Sequence, residues 1–271
     1  MITVFITGSN GSIGKEIYAS LSKKRNITLI PIIRYSKKNY GNYILWDYFN
    51  KKKPHKVKAD KFVIKSSYLI HCAYNFNDKK LINNSNYTAL ENIYSYLKGV
   101  KIINISTMSA YNGCKSIYGQ NKLNIEKYIE SNYGYNLRMG VPINAVNNKS
   151  IGFLSAQKKI NNLLPFFTFA INTKSDGLIY LSYLPNFNRV IYKIICSQIP
   201  SGTFSIVRIK PIKLIDFIAT YTNKFIIKID WRLIYLLLKF IEVLGLNLRF
   251  GSDSVIGLVK ATRHLEKPLL K

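Results

Sequence analysis

Acidic residues are scarce in this sequence, which has 13 Asp and Glu against 40 Lys and Arg and a formal net charge of +27. Such a charge would suit nucleic acid, anionic lipid or an anionic small substrate as a partner. The basic runs at 23–25 and 51–53 are short and scattered, and no zinc-finger spacing or aromatic RNA-binding motif accompanies them. We therefore interpret the charge first as part of a compositional enrichment in Lys, Asn, Ile and Tyr, and we predict no nucleic-acid partner.

Cysteines are also few. Cys72, Cys114 and Cys196 are odd in number and far apart, which excludes a disulfide framework and gives no metal-ligand spacing. The histidines have no such spacing either, so we predict no metal site. A reducing compartment fits this cysteine usage. No signal peptide precedes the first apolar run, and we expect a cytoplasmic protein.

Uninterrupted apolar runs are missing as well. The longest apolar stretch, Trp231 to Leu248, contains four polar side chains, which argues against a transmembrane span. Arg232 and Lys239 are seven residues apart and share a helix face. We interpret the stretch as an amphipathic helix that packs on the core. Weak attachment to a membrane surface, helped by the positive charge, is the minority interpretation.

The residues that are present favour a folded α/β protein. Apolar residues make up 48% of the chain and charged residues 20%, enough for a full core and too few charges for a disordered chain. Apolar strands alternate with helical patterns up to Pro142, which predicts a doubly wound parallel sheet of the Rossmann type. The predicted strands are 2–7, 27–33, 43–46, 68–73, 100–106 and 135–139, and the predicted helices are 12–24, 78–98 and 118–132.

The pattern becomes irregular after Pro142. Helical stretches are predicted near 186–198, 212–221 and 231–244, with short strands near 203–208 and 225–229. We therefore predict a Rossmann domain over 1–142 and a small α+β substrate lobe over 143–271.

A glycine-rich turn joins the first predicted strand to the first predicted helix, and it reads T-G-x-x-G-x-x-G from Thr7 to Gly14. Gly8 allows the sharp turn, Gly11 lets the backbone approach a pyrophosphate, and Gly14 permits close packing of helix on strand. The free N–H groups and positive dipole of the helix start favour phosphate. The motif predicts a dinucleotide-binding loop made of Gly8, Ser9, Asn10, Gly11, Ser12, Ile13 and Gly14.

Arg34 stands at the end of the second predicted strand, where dinucleotide-binding proteins usually carry an acid that holds the ribose 2′-OH. A carboxylate would repel a 2′-phosphate, whereas a guanidinium can pair with it. The basic residues Lys37 and Lys38 follow closely. We therefore predict NADP as the cofactor, with NAD as the second choice.

Tyr118 and Lys122 form a Y-x-x-x-K motif and share one helix face. The ordinary pKa of a tyrosine hydroxyl is about 10, so at neutral pH the side chain is protonated and cannot act as a base. The Lys122 ammonium can stabilise the tyrosinate and so lower this pKa. Ser106 and Thr107 end the preceding strand, where a hydroxyl can hydrogen-bond a substrate oxygen. The motif is weak alone in a chain with 20 Tyr, but joined to the glycine loop it predicts an oxidoreductase.

These motifs resemble those of the extended branch of the short-chain dehydrogenase/reductase superfamily, which includes nucleotide-sugar epimerases, dehydratases and reductases. Four further stretches resemble family patterns, namely 69–73 (V-I-H-x-A), 86–92 (N-V-x-G-T-x-N), 105–111 (S-S-x-x-V-Y) and 137–142 (L-R-x-x-x-P). The resemblance places the catalytic hydroxyl on Thr107. It implies cofactor contacts by Asp47 at the adenine amino group, by Ala73 and Lys122 at ribose, by Pro142 past the nicotinamide, and by Asn86 and Tyr118.

The departures from the family pattern narrow the function. Met108 and Ser109 replace the Asp-Glu pair of sugar dehydratases, which disfavours that reaction. The resemblance implies a 4-ketoreductase or 4-epimerase acting on a nucleotide-activated sugar, in surface-polysaccharide biosynthesis. Reduction of a small non-sugar carbonyl is the second hypothesis. A non-catalytic cofactor-binding scaffold is the third, ranked low because Tyr118 and Lys122 are both present. A homodimer is a further implication of the family.

Overall fold

The computed structural model describes residues 1–34, 41–58, 67–78, 80–82, 84–143, 166–172, 178–220, 223–245 and 251–259. Two compact units can be separated. The first comprises Met1–Ser106, Asn124–Leu137 and Pro185–Phe204, and the second comprises Thr107–Leu123, Arg138–Leu184 and Ser205–Lys271. The division of the sequence at residue 142 into a Rossmann domain and a substrate lobe stays a prediction.

Strands and helices alternate along the N-terminal half. The strands are β1 (Ile2–Thr7), β2 (Ile27–Ile33), β3 (Tyr43–Leu45), β4 (Lys56–Lys58), β5 (Ser67–His71), β6 (Lys101–Thr107), β7 (Tyr135–Met139), β8 (Val141–Ile143), β9 (Phe167–Asn172), β10 (Leu178–Ile179), β11 (Leu181–Tyr183), β12 (Gly202–Ile206), β13 (Ile212–Lys213) and β14 (Phe225–Asp230). The helices are α1 (Ser12–Leu21), α2 (Ser85–Tyr96), α3 (Ile117–Ser131), α4 (Leu184–Ile195), α5 (Leu214–Ala219), α6 (Trp231–Val243) and α7 (Ser252–Val259).

One large sheet dominates the fold. Its eight strands run in the order β12-β7-β6-β5-β1-β2-β3-β4. The pairings β1–β2, β1–β5, β2–β3 and β5–β6 are parallel, and β4 pairs antiparallel with β3. The strand order reverses beside β1, which is the switch point where open α/β sheets bind ligands. The predicted α/β Rossmann class is confirmed.

The core of the first unit explains why its strands are apolar throughout. Helices cover a parallel sheet, so its central strands are buried on both sides. Phe5 of β1, Leu69 of β5 and Ile102 of β6 are buried in one cluster. Leu90 and Ile129 join that cluster from α2 and α3, and so fix the two helices against the sheet.

The second predicted helix begins later than its sequence pattern indicated. We expected a helix over 78–98, but α2 starts at Ser85. The Asn84 side chain accepts the backbone N–H of Asn86 at 2.9 Å, and the Asp78 carboxylate accepts that of Ser85 at 2.6 Å. These two acceptors cap the first turn, so the helix begins there.

The second unit has its own apolar core. It includes Ile171 of β9, Leu214 and Phe217 of α5, and Val255 of α7. β14 pairs in parallel with β9, and β11 pairs in parallel with β8. The sequence pattern did not predict β8 to β11, β13 or α7, because most of these elements are too short for a period to be visible.

The long apolar helix packs on the second unit's core by one side, as the interpretation of an amphipathic helix predicted. None of its residues is fully buried. Ile234, Tyr235 and Leu238 pack against the second unit's core from one side, and large apolar side chains on the other side are exposed. No helix among the described residues is long and apolar enough to cross a membrane.

Candidate functional site

The glycine loop of the first unit has a backbone that only glycine fits. Gly8 has a φ of +65°, and a Cβ placed there would lie 2.9 Å from the Ala73 backbone nitrogen. A Cβ at Gly14 would lie 2.3 Å from the Gly8 carbonyl oxygen. The N–H of Gly11 closes the turn by donating to that same oxygen at 2.8 Å. The glycines therefore bring the start of α1 close to the end of β1.

Thr7 holds the end of β5 beside this loop. Its hydroxyl oxygen accepts the N–H groups of Cys72 at 3.2 Å and Ala73 at 3.3 Å. It also lies 3.1 Å from Nδ1 of His71, which is buried. His71 therefore has a structural partner, and among the described residues no group of His, Cys, Asp and Glu could hold a metal ion.

Asn86 organises the segment that follows β5. Its side-chain oxygen accepts the N–H of Asn75 at 2.5 Å, and its amide nitrogen donates to the Asn75 carbonyl at 3.2 Å. Both bonds fix the backbone after Ala73. The resemblance had assigned Asn86 to the cofactor side, and the structure adds this positioning role.

Two buried polar atoms in the first unit match the predicted cofactor contacts. Oγ of Ser9 in the glycine loop and Oδ1 of Asp47 are buried and have no hydrogen-bond partner among the described residues. The other carboxylate oxygen of Asp47 accepts from Asn50 at 2.8 Å. Buried polar groups are normally paired, so each marks a place for a ligand or water. A hydroxyl in the glycine loop and a carboxylate at the position predicted to contact adenine would fit a dinucleotide.

Arg34 is exposed at the end of β2. Its guanidinium lies 5.3 Å from the centre of the Phe49 ring, a distance at which cation and ring attract each other. Lys37 and Lys38, which strengthened the NADP prediction, lie outside the described residues. Arg34 is therefore the basic residue of the NADP prediction that lies within the described part of the first unit.

In the second unit, Thr107 and Tyr118 are joined. The Thr107 side chain hydrogen-bonds the Tyr118 hydroxyl. This bond lowers the pKa of Tyr118, whereas burial raises it. Burial is the larger effect and raises the pKa of Tyr118 from 10.0 to about 12. Tyr118 is therefore protonated at neutral pH. The neighbouring hydroxyl of Ser106 instead donates to the Glu126 carboxylate at 2.5 Å, which favours Thr107 as the hydroxyl of the site.

The start of α3 is held close to the turn after Thr107. A Cβ at Gly119 would lie 2.3 Å from the Ser109 carbonyl oxygen, so a residue with a side chain would push the helix away. Lys122 lies one turn after Tyr118 and is buried. Pro142 stands in β8, opposite Ser182 of β11. The Ser182 hydroxyl accepts the N–H of Gly140 at 2.9 Å, which ties the predicted nicotinamide segment to β11.

Asp253 of α7 caps the helix that carries Tyr118, a role that sequence analysis missed. Its two carboxylate oxygens accept the backbone N–H groups of Ile117 at 2.7 Å and Tyr118 at 3.0 Å. A carboxylate at a helix start satisfies free N–H groups and complements the helix dipole. The contact joins residues 135 positions apart, and no local pattern in the sequence signals it.

We expect Asp253→Ala to lower the free energy of unfolding by about 1–2 kcal/mol, because two N–H groups at the start of α3 lose their acceptor. Asp253→Asn keeps one acceptor oxygen and should lose about half as much. Urea unfolding followed by circular dichroism measures both. The control is Asp216→Ala in the first turn of α5, where an exposed Asp should change stability by less than about 0.5 kcal/mol. Equal losses in the alanine variants would contradict the capping role.

Comparison with known proteins gives a match in structure only. No protein-family model matches the sequence, and no curated protein sequence matches it. The UDP-N-acetylglucosamine 4-epimerase from Bacillus cereus is 16% identical, with 96% of this chain and 98% of that chain covered and a TM-score of 0.56. The UDP-glucose 4-epimerase of Thermus thermophilus, solved with NAD, is 13% identical, with 96% and 99% covered and a TM-score of 0.59.

A third similar structure comes from another kind of protein. The terminal R domain from the myxalamid PKS-NRPS biosynthetic pathway is 10% identical, with 98% of this chain and 82% of that chain covered and a TM-score of 0.67. Several further matches are nucleotide-sugar epimerases. At these identities the similarity establishes the fold, which is the fold that the resemblance to extended short-chain dehydrogenases predicted.

Proposed function

We propose that the chain is a nicotinamide-dependent enzyme that acts by hydride transfer on a nucleotide-activated sugar, as a 4-ketoreductase or a 4-epimerase. The contact between Thr107 and the Tyr118 hydroxyl carries the proposal. It joins a second hydroxyl, at the end of β6, to a proton donor on α3, the helix that also bears Lys122. A bare structural Rossmann domain has no need for this arrangement. The role in surface-polysaccharide biosynthesis remains an implication of the family resemblance.

Each predicted residue has a defined task in this proposal. The bound nicotinamide would supply and accept the hydride. Thr107 would orient the sugar carbonyl or hydroxyl, and Tyr118 would donate a proton to that oxygen in reduction and remove it in oxidation. The positive charge of Lys122 would favour the tyrosinate that oxidation requires. In the first unit, the dinucleotide would be held by Gly8, Ser9, Asn10, Gly11, Ser12, Ile13, Gly14, Arg34, Asp47, Ala73 and Asn86. Contacts by Lys122 and Pro142 stay an implication of the sequence resemblance.

The net charge of +27 supports an anionic substrate. A nucleotide diphosphate carries at least two negative charges at neutral pH, and a basic protein raises the local concentration of such a substrate. The deciding assay follows NADPH or NADH consumption with nucleotide-linked 4-keto-sugars, and sugar interconversion without net consumption. Turnover with a nucleotide-linked sugar and none with the free sugar supports the proposal. Turnover of small ketones alone would favour the alternative, reduction of a non-sugar carbonyl.

Arg34 makes NADP our first choice of cofactor, with NAD as the alternative because a similar epimerase was solved with NAD. We expect Arg34→Asp to weaken NADPH binding by about ten- to a hundredfold, since a charge-assisted contact to the 2′-phosphate is lost and a like charge is introduced. NADH binding should change by less than about threefold. Fluorescence titration of both nucleotides measures the two affinities.

The control is Arg25→Asp, which makes the same charge change at another exposed arginine of the first unit. It should leave the ratio of NADPH to NADH affinity within about twofold of the wild-type ratio. A wild-type protein that binds NADH as tightly as NADPH would make NAD the cofactor. Loss of both affinities in Arg34→Asp would show that Arg34 does not read the 2′-phosphate.

A further inference from the structure

The outward side of α6 is an exposed apolar surface. Leu233, Leu236, Leu237, Phe240 and Val243 each expose 60% or more of their surface. Exposed apolar residues are ordinary when scattered, but a contiguous set on one helix marks an interaction site. We call this set the α6 apolar face.

Contacts on the opposite side of α6 fix the rotation of the helix about its own axis. The opposite side of the helix is already in place, since Ile234 and Leu238 pack against the second unit's core. The Glu242 carboxylate accepts hydrogen bonds from the backbone N–H of Ser252 at 3.1 Å and from the Ser252 hydroxyl at 2.7 Å. Both sets of contacts fix the rotation of the helix, so the apolar face stays outward.

Helix geometry places basic residues along the border of this face. At about 100° per residue, Leu233, Leu236, Leu237 and Phe240 fall within an arc of about 100°. Arg232 and Lys239 fall next to one edge of that arc, and both are exposed. An apolar stripe bordered by Lys and Arg is the arrangement of helices that lie in the surface of a membrane.

We infer that the α6 apolar face docks the protein on the surface of an anionic lipid membrane. The net charge of +27 attracts anionic lipid, whereas a second copy of the chain would bring the same positive charge and repel the first. The helix has 13 residues and is about 20 Å long, shorter than the roughly 30 Å hydrocarbon core. It therefore lies along the membrane surface, with the apolar face in the acyl boundary and Arg232 and Lys239 at the phosphates. This inference does not depend on the reaction proposed above.

Co-sedimentation with lipid vesicles tests the inference. We expect the full chain to bind vesicles of phosphatidylcholine mixed with phosphatidylglycerol at least about tenfold more tightly than vesicles of phosphatidylcholine alone. Replacing three residues of the face, as L236Q/L237Q/F240Q, removes apolar area without changing the charge. This variant should bind the mixed vesicles at least about tenfold more weakly than the wild type.

The matched control is V57Q/L81Q/I82Q, which replaces three exposed apolar residues of the first unit. It should bind the mixed vesicles like the wild type, and circular dichroism checks that both variants are folded. The inference is overturned if the wild type ignores the mixed vesicles, or if the two triple variants lose binding equally. A wild-type dimer in solution that L236Q/L237Q/F240Q converts to a monomer would also overturn it, because a second copy would then cover the face.

Discussion

Tyr118→Phe is expected to lower kcat by about a thousandfold or more while nicotinamide dinucleotide binding changes by less than about threefold. Phenylalanine keeps the ring and its packing but has no proton to exchange with the substrate oxygen. Burial raises the pKa of Tyr118 to about 12, so at neutral pH the wild-type hydroxyl is protonated and ready to donate. The loss should therefore fall on the chemical step and not on cofactor affinity.

The same pKa fixes the expected pH dependence. Reduction needs protonated Tyr118. Because Tyr118 stays protonated up to about pH 10, its ionisation should not slow reduction below that pH. Oxidation needs the tyrosinate, and its rate should rise as pH increases toward the pKa of about 12. Tyr118→Phe should remove the rise along with the activity.

Stopped-flow and steady-state assays on the nucleotide-linked sugar that serves as substrate measure these rates. Tyr96→Phe, which removes a hydroxyl from a partly exposed tyrosine at the end of α2, is the control and should keep kcat within about twofold. A Tyr118→Phe variant with more than about a tenth of wild-type kcat would refute the assignment of Tyr118 as the acid and base.

The sequence predicted the buried strands better than any other element. The bounds of β1, β2 and β7 agree with the predicted 2–7, 27–33 and 135–139. A parallel strand covered on both sides is a short continuous apolar run between turn residues, and such a run has clear ends. The predicted start of α2 was seven residues too early, because the side chains of Asp78 and Asn84 cap the helix and so decide where it begins.

The inward and outward sides of α6 could not be separated from sequence. Apolar residues occupy nearly the whole circumference of this helix, so periodicity does not say which side is buried. Only the tertiary contacts of Ile234 and Leu238 with the second unit's core decide it. One side of α6 packs on the core as our first interpretation predicted, and the exposure of the other side is the observation from which the membrane-surface inference starts.

The residues of the candidate site also fall into those that the sequence could predict and those that only tertiary contacts reveal. Tyr118 and Lys122 could be proposed from the sequence because residues four apart share a helix face. The choice between Ser106 and Thr107 needs the position of Glu126, which engages Ser106 from 20 residues away. The cap by Asp253 needs α7 to lie beside the start of α3. Local motifs therefore suggest the chemistry, and long-range contacts position it.

Gly14→Ala is expected to abolish dinucleotide binding, with a loss of at least about a hundredfold in affinity for NADPH and NADH alike. The added Cβ would lie 2.3 Å from the carbonyl oxygen of Gly8, and both groups belong to the backbone of the loop. Neither can rotate away as a flexible side chain could, so α1 must shift from β1. Its first N–H groups would then no longer face the place where the pyrophosphate is expected.

The same shift should lower the free energy of unfolding by about 1–3 kcal/mol, the usual cost of overpacking. Titration calorimetry at a temperature where circular dichroism shows a folded variant separates lost binding from lost structure. Gly41→Ala is the matched control, because a Cβ there would meet no atom of the described residues within 4 Å. It should bind both nucleotides like the wild type. If Gly14→Ala also binds them normally, the glycine loop does not hold the pyrophosphate, and the loop serves only to join β1 to α1.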